Sequence, residues 1–175
     1  MFLDNIRKLF PKNYFLQKTK KEKDIPPNWG NLPYNILGKY DDGDDSWLED
    51  DDEWIIAYHG TGRHCRTEQE IFDTINNIFN NGFQNGQNNY HANHNDIYHK
   101  GRKVGIGVYV SPNIETAKSY AGKITLNGEE YKTLFLVKVK KNAIRACNCP
   151  DAKDYWVVNG SDNEIRPVEV LYEAV

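Results

Sequence analysis

The sequence predicts an α+β domain built on a mainly antiparallel sheet, and three observations carry that prediction. A strand, glycine turn and amphipathic helix occupy residues 54–82; a second strand and helix follow at 107–121; the chain then closes with several strand-like runs. With 175 residues, 39% of them hydrophobic and 13% aromatic, the chain is long enough to bury one core of its own.

The elements can be justified in chain order. Phe2, Leu3, Ile6, Leu9 and Phe10 recur at helical spacing before Pro11, which predicts a short amphipathic helix docked on the domain. The basic linker QKTKKEKD and the Pro- and Gly-punctuated segment IPPNWGNLPYNILG follow, then the acidic run DDGDDSWLEDDDE at 41–53, expected as a solvated loop. Composition thus divides the chain into residues 1–53 and a domain over 54–175. In the latter, WIIAYH reads as a buried strand ending at His59. Thr67 and Glu70 form a capping signature for a helix whose Ile71, Ile75, Ile78 and Phe79 share one face, closed by Gly82. Residues 84–100, rich in Asn and His, read as a long loop. GVYV is the next strand, and Ser111 with Pro112 predicts an N-cap and first-turn proline for a helix reaching Ala121. TLFLVKVK, AIRAC, YWVV and EIRPVEVLYEA complete the sheet.

Charge and cysteine content narrow the functional classes. A net charge of −3 offers no basic surplus for general nucleic-acid binding. Cys65, Cys147 and Cys149 make neither an even set nor a CxxC pair, which points to a reducing compartment. No stretch approaches the roughly 20 apolar residues of a membrane span, and Asp4, Arg7 and Lys8 interrupt the N-terminal apolar residues. Cytosol or nucleus is the expected location. The spacings HANH and CNC place His and Cys close together without meeting a four-ligand zinc template, so no metal is expected.

Two phosphate or oxyanion motifs fail on inspection. HGTG at 59–62 resembles a hydrolase oxyanion loop, but no GxSxG nucleophile elbow accompanies it. GRKVGIG is neither GxGxxG nor a P-loop. A different constellation runs through the chain: His59-Gly60-Thr61 at a strand end, Gly105-Ile106-Gly107-Val108-Tyr109 leading a second strand, Tyr120 eleven residues on, and Asn163-Glu164 at the head of a late strand. In order and spacing it resembles the ADP-ribosyltransferase fold, in the His-Tyr-Glu class of poly(ADP-ribose) polymerases and diphtheria-type toxins. The resemblance covers residues 54–172.

That resemblance implies a split antiparallel sheet with flanking helices and NAD as substrate. It assigns His59 to a ribose hydroxyl, Gly60 to the nicotinamide carboxamide through its backbone, Thr61 to a further hydroxyl contact, and Tyr109 and Tyr120 to the two faces of the nicotinamide ring. Glu164 would stabilise the oxocarbenium-like state through the 2′-OH, making Glu164, His59 and Tyr109 the catalytic set. The implied partner is a protein or nucleic-acid acceptor. One departure stands out: chain-forming members carry a serine where this chain has Ala117, with Ser119 one helical step out of register, which favours single-unit transfer. The alternatives are a catalytically silent NAD- or ADP-ribose-binding or protein-interaction module, and an NAD glycohydrolase. The His-rich loop before the second strand is expected to gate substrate.

Overall fold

The computed structural model describes residues 25–85, 98–99, 102–103, 107–126, 128–149 and 152–175. The expected N-terminal helix and basic linker, most of the Asn- and His-rich loop, Gly105 and Ile106 lie outside these residues. Within them the protein is α+β, mostly antiparallel sheet with few helices.

The longest strand explains the architecture. TLFLVKVK is almost continuously buried, as befits a strand covered on both faces. It lies in β7 (Glu129–Lys140), flanked on one side by β10 (Ile165–Ala174), and on the other by β2 (Trp54–Gly60) and β6 (Lys123–Leu126), which share its length. β1 (Gly30–Pro33) adds to the far side of β10, completing five strands, all antiparallel. Pro167 is tolerated inside β10 because the register shifts between Pro167 and Glu169, a bulge that relieves the ladder of a missing donor.

A second sheet runs in the order β5 (Val108–Val110), β9 (Ala152–Val158), β8 (Arg145–Cys149). It meets the first where Tyr58 and Ser111 exchange backbone hydrogen bonds of 2.8 and 2.9 Å. A two-residue pair, β3 (Tyr98–His99) with β4 (Arg102–Lys103), is what the structure describes of the loop region before β5, together with Gln84 and Asn85.

Helix α1 (Glu68–Asn81) forms where its capping signature predicts. Thr67 Oγ1 accepts from the Glu70 N–H at 3.2 Å, while Glu70 reaches one residue further back than a standard capping box, accepting from the Arg66 N–H at 2.7 Å. Ile71, Phe72, Ile75, Ile78 and Phe79 face the core, and Gly82 ends the helix at a φ of 75°.

The second helix departs from expectation. Ser111 is not its N-cap, because its backbone is held extended by the bridge to Tyr58; Asn113 caps instead, its Oδ1 accepting from the Glu115 N–H at 3.0 Å. α2 is short (Ile114–Lys118) and stops before Tyr120, since Ala121 and Gly122 are drawn into strand-like pairing with Gly62 and Thr61. Tyr120 therefore stands in the turn after the helix.

The acidic segment keeps most of its carboxylates exposed, as expected, but it is not an irregular loop. Two 3₁₀ turns (Asp41–Gly43 and Asp45–Leu48) lay Tyr40 and Trp47 into the core. The physical reason is a pair of buried cations on the central strands. Lys138, 2% exposed, donates to the Trp47 and Asp50 carbonyls at 3.1 and 3.3 Å. Arg166, 3% exposed, makes a two-pronged 2.7 Å contact with the Asp41 carboxylate beneath the rings of Tyr40, Trp47 and Trp54. Buried cations must be paired and hydrogen-bonded, and this segment supplies the acceptors. Trp29, Leu32, Tyr34 and Ile36 join the same cluster. The boundary at 53/54 thus marks a change of composition, while residues 25–53 pack into the core of the sheet that follows.

Candidate functional site

The end of β2 builds the site. There His59 and Gly60 pair with Phe135 and Leu134 of β7, and the chain then turns away through Thr61 and Gly62. His59 Nδ1 lies 2.8 Å from the Tyr109 carbonyl oxygen. A carbonyl only accepts, so Nδ1 carries the proton and Nε2 is left as an acceptor. Burial pushes the imidazole pKa down to about 4, with the bond to Tyr109 opposing that shift. Phe83 stands edge-on to the ring at 5.0 Å and Phe135 lies 6.3 Å away, which is the apolar surround that disfavours imidazolium. At neutral pH His59 is a neutral, oriented hydrogen-bond acceptor.

Gly60 has a reason to be glycine that the sequence does not disclose. A Cβ there would stand 1.9 Å from the Ala117 carbonyl oxygen, so the close approach it permits is that of α2 against β2. Gly62, at a φ of 89°, and the bond from Gly122 N–H to the Thr61 carbonyl (2.8 Å) fasten the turn to the segment after α2.

These segments enclose a groove of about 610 Å³. His59, Gly60 and Thr61 line one part of it, Gly107, Val108 and Tyr109 another, and Tyr120, Arg63 and Phe83 contribute further walls. Five of the six residues singled out from the sequence, His59, Gly60, Thr61, Tyr109 and Tyr120, thus converge on one space.

Glu164 is not among them. Its carboxylate closes the turn between β9 and β10, accepting from the Asn159 backbone N–H at 2.8 Å and the Asn159 side-chain amide at 2.9 Å. The turn touches the groove's rim at second hand: Gly160 N–H donates to Asn85 Oδ1 (2.8 Å), next to the lining residue Gln84. The two glutamates of β10 are committed elsewhere. Glu169 is buried and accepts from Asn31 (3.0 Å), and Glu173 pairs with Lys118. Among the described residues the groove is lined by one carboxylate, Glu70, which already caps α1.

Ala117 is buried under β2, and Ser119 cannot stand in for it, because its hydroxyl donates to the Thr116 carbonyl (2.7 Å) and lines a different pocket. Tyr155 of β9 is the residue sequence reasoning missed. Its ring lies 6.2 Å from Tyr109 and 5.9 Å from Tyr120, edge-on to both, and its hydroxyl bonds that of Tyr120. The two tyrosines expected to face one ligand ring are therefore bridged by a third. No local signal marks it: sheet register pairs Tyr109 with Val157, and the period of two along a strand then puts Tyr155 on the same face as Val157.

Of the residues raised for zinc, His91 and His94 lie outside the described residues. Cys65 approaches Thr74 Oγ1 at 4.0 Å in the groove wall. No protein-family model matches this chain, and no curated protein matches it significantly.

Proposed function

We propose that the groove binds the nicotinamide–ribose half of NAD and that the chain is an ADP-ribosyltransferase, passing one ADP-ribose unit to a macromolecular acceptor. The observation that supports this most is the convergence of His59, Gly60, Thr61, Tyr109 and Tyr120, from separate segments, on one groove. The chemistry of the walls suits the ligand. A neutral His59 with its Nδ1 proton given to Tyr109 accepts from a ribose hydroxyl, and aromatic rings at Tyr109 and Tyr120 favour a cationic pyridinium. In the transfer, the bond from nicotinamide nitrogen to C1′ breaks with its electron pair leaving on nicotinamide. The acceptor's lone pair forms the new bond to C1′, and the acceptor's proton passes to solvent or to a carboxylate. Glu164 is the carboxylate assigned to the developing cation, and reaching it requires opening the two bonds to Asn159.

Those two bonds, with the Tyr155 bridge, favour a second reading: a module that binds NAD without turning it over. Calorimetry with NAD and a nicotinamide-release assay separate the two. The transferase reading expects binding and release by the wild type, with Glu164→Gln cutting release about a hundredfold or more at little cost in affinity. Binding with no release from either protein selects the silent module. Absence of NAD binding by the wild type overturns both.

A further inference from the structure

Behind the turn that carries Arg63 lies a second cavity, of about 510 Å³, lined by Arg63, Arg66, Lys123 and Lys132 together with Ser119 and the first turn of α1. From these cationic side chains we infer a binding site for a phosphate dianion, distinct from the groove: Arg66, Lys123 and Lys132 do not line the groove, so the site stands whether or not the groove takes NAD.

Charge balance is the first argument. Among the described residues no carboxylate lies within ion-pair distance of Arg63, Arg66 or Lys132, while Lys123 pairs with Glu130 at 2.8 Å, both half exposed. Glu68 is the cavity's own carboxylate, its charge unchanged by the 2.6 Å bond it accepts from the Thr125 N–H, so the four cations of the lining face two carboxylates, Glu68 and Glu130. The cavity is thus left with a positive surplus. Lys132 records it: burial, and then the charges of Lys118, Lys123 and Arg63, lower its pKa, with Glu115 opposing. Like charges brought together at a fold's expense are relieved by an anion bound between them.

Donor chemistry is the second argument. The two guanidiniums offer planar forks suited to paired phosphate oxygens, and Lys132 and Lys123 supply point charges. Lys132 keeps one ammonium proton on the Lys118 carbonyl (3.1 Å), which holds its head in place. A singly charged carboxylate would leave much of this surplus unmet, so a dianionic phosphate fits better.

The site also connects to the groove. Arg63 lines both cavities, and its guanidinium lies 5.9 Å from the centre of the Tyr120 ring. A phosphate drawing on Arg63 alters what stands over Tyr120.

The test is calorimetric titration of the 175-residue chain, free of NAD, with inorganic phosphate and separately with ribose 5-phosphate. Saturable binding is expected, weakened about tenfold or more in Arg66→Gln/Lys132→Gln, with Lys141→Gln, a cation elsewhere on the surface, binding like wild type. Tighter binding of ribose 5-phosphate assigns the site to a sugar or nucleotide phosphate, and equal binding assigns it to free phosphate. The inference is overturned if wild type shows no saturable binding, or if Lys141→Gln weakens it as much as the double variant does. Since Lys132 is partly buried, Arg66→Gln alone, at an exposed position, is the second variant, expected to weaken binding severalfold with an unchanged melting temperature.

Discussion

At the scale of single residues, His59 is the most informative. Its folded pKa of about 4 lies below the 6.5 of an unperturbed histidine, so the unfolded chain takes up a proton first as pH falls. Stability contributed by the neutral ring is complete above pH 6.5 and is lost progressively as pH drops toward 4, by about 2–3 kcal/mol if the shift is fully expressed. Urea unfolding at pH 7 and pH 4.5 should show this loss, and His59→Gln, which cannot titrate, should flatten it. Gly60 gives a second expectation. Adding a methyl group 1.9 Å from the Ala117 carbonyl forces α2 away from β2, so Gly60→Ala should lower stability by about 1–3 kcal/mol or more, read as a shift in denaturant midpoint at constant slope. His59 and Gly60 both stood out in the sequence. The reasons they are needed did not, because a carbonyl fifty residues away and a helix backbone supply them.

At the scale of elements, α1 and α2 show what local sequence can and cannot settle. α1 carries its cap, its apolar face and its terminating glycine within one contiguous stretch, and it forms between those signals. α2 carries an equally plain Ser-Pro start, yet the bridge between Ser111 and Tyr58 moves the cap two residues on, and pairing at Ala121 ends the helix early. Long-range pairing thus overrides a local preference worth about 1 kcal/mol. Asn113→Ala should weaken this helix by a similar amount. Strand β9 has the reverse lesson, since its run YWVV reads as core while its register against β5 places Tyr155 between Tyr109 and Tyr120. Tyr155→Phe keeps the ring contacts and removes one hydroxyl bond, so it should cost about 1 kcal/mol in thermal or chemical unfolding and leave the circular dichroism spectrum unchanged.

At the scale of the whole molecule, the fold is closed by contacts between its acidic front segment and its last strand. Arg166 sits at that junction, paired with Asp41 and enclosed by Tyr40, Trp47 and Trp54. Removing Asp41 would take the carboxylate from a buried guanidinium that keeps its Nε–H bond to the Asp162 carbonyl (2.7 Å), so Asp41→Ala should destabilise by about 1–3 kcal/mol in equilibrium unfolding, beyond an ordinary surface substitution. By itself the sequence determined the α+β class, the strand at 54–59, the cap, face and end of α1, and five residues of the candidate groove. The class, the strand and the helix signals follow from periodicity, capping and glycine turns, which act over a few residues; the five groove residues came from the family resemblance in motif order and spacing. The tertiary structure alone decided that residues 25–53 join the core, that Glu164 is held by Asn159 outside the groove, and that Tyr155 bridges the two tyrosines. The reason is the same in each case. A buried cation, a turn carboxylate and a strand face find their partners through sheet register, and register brings together residues that no local pattern relates.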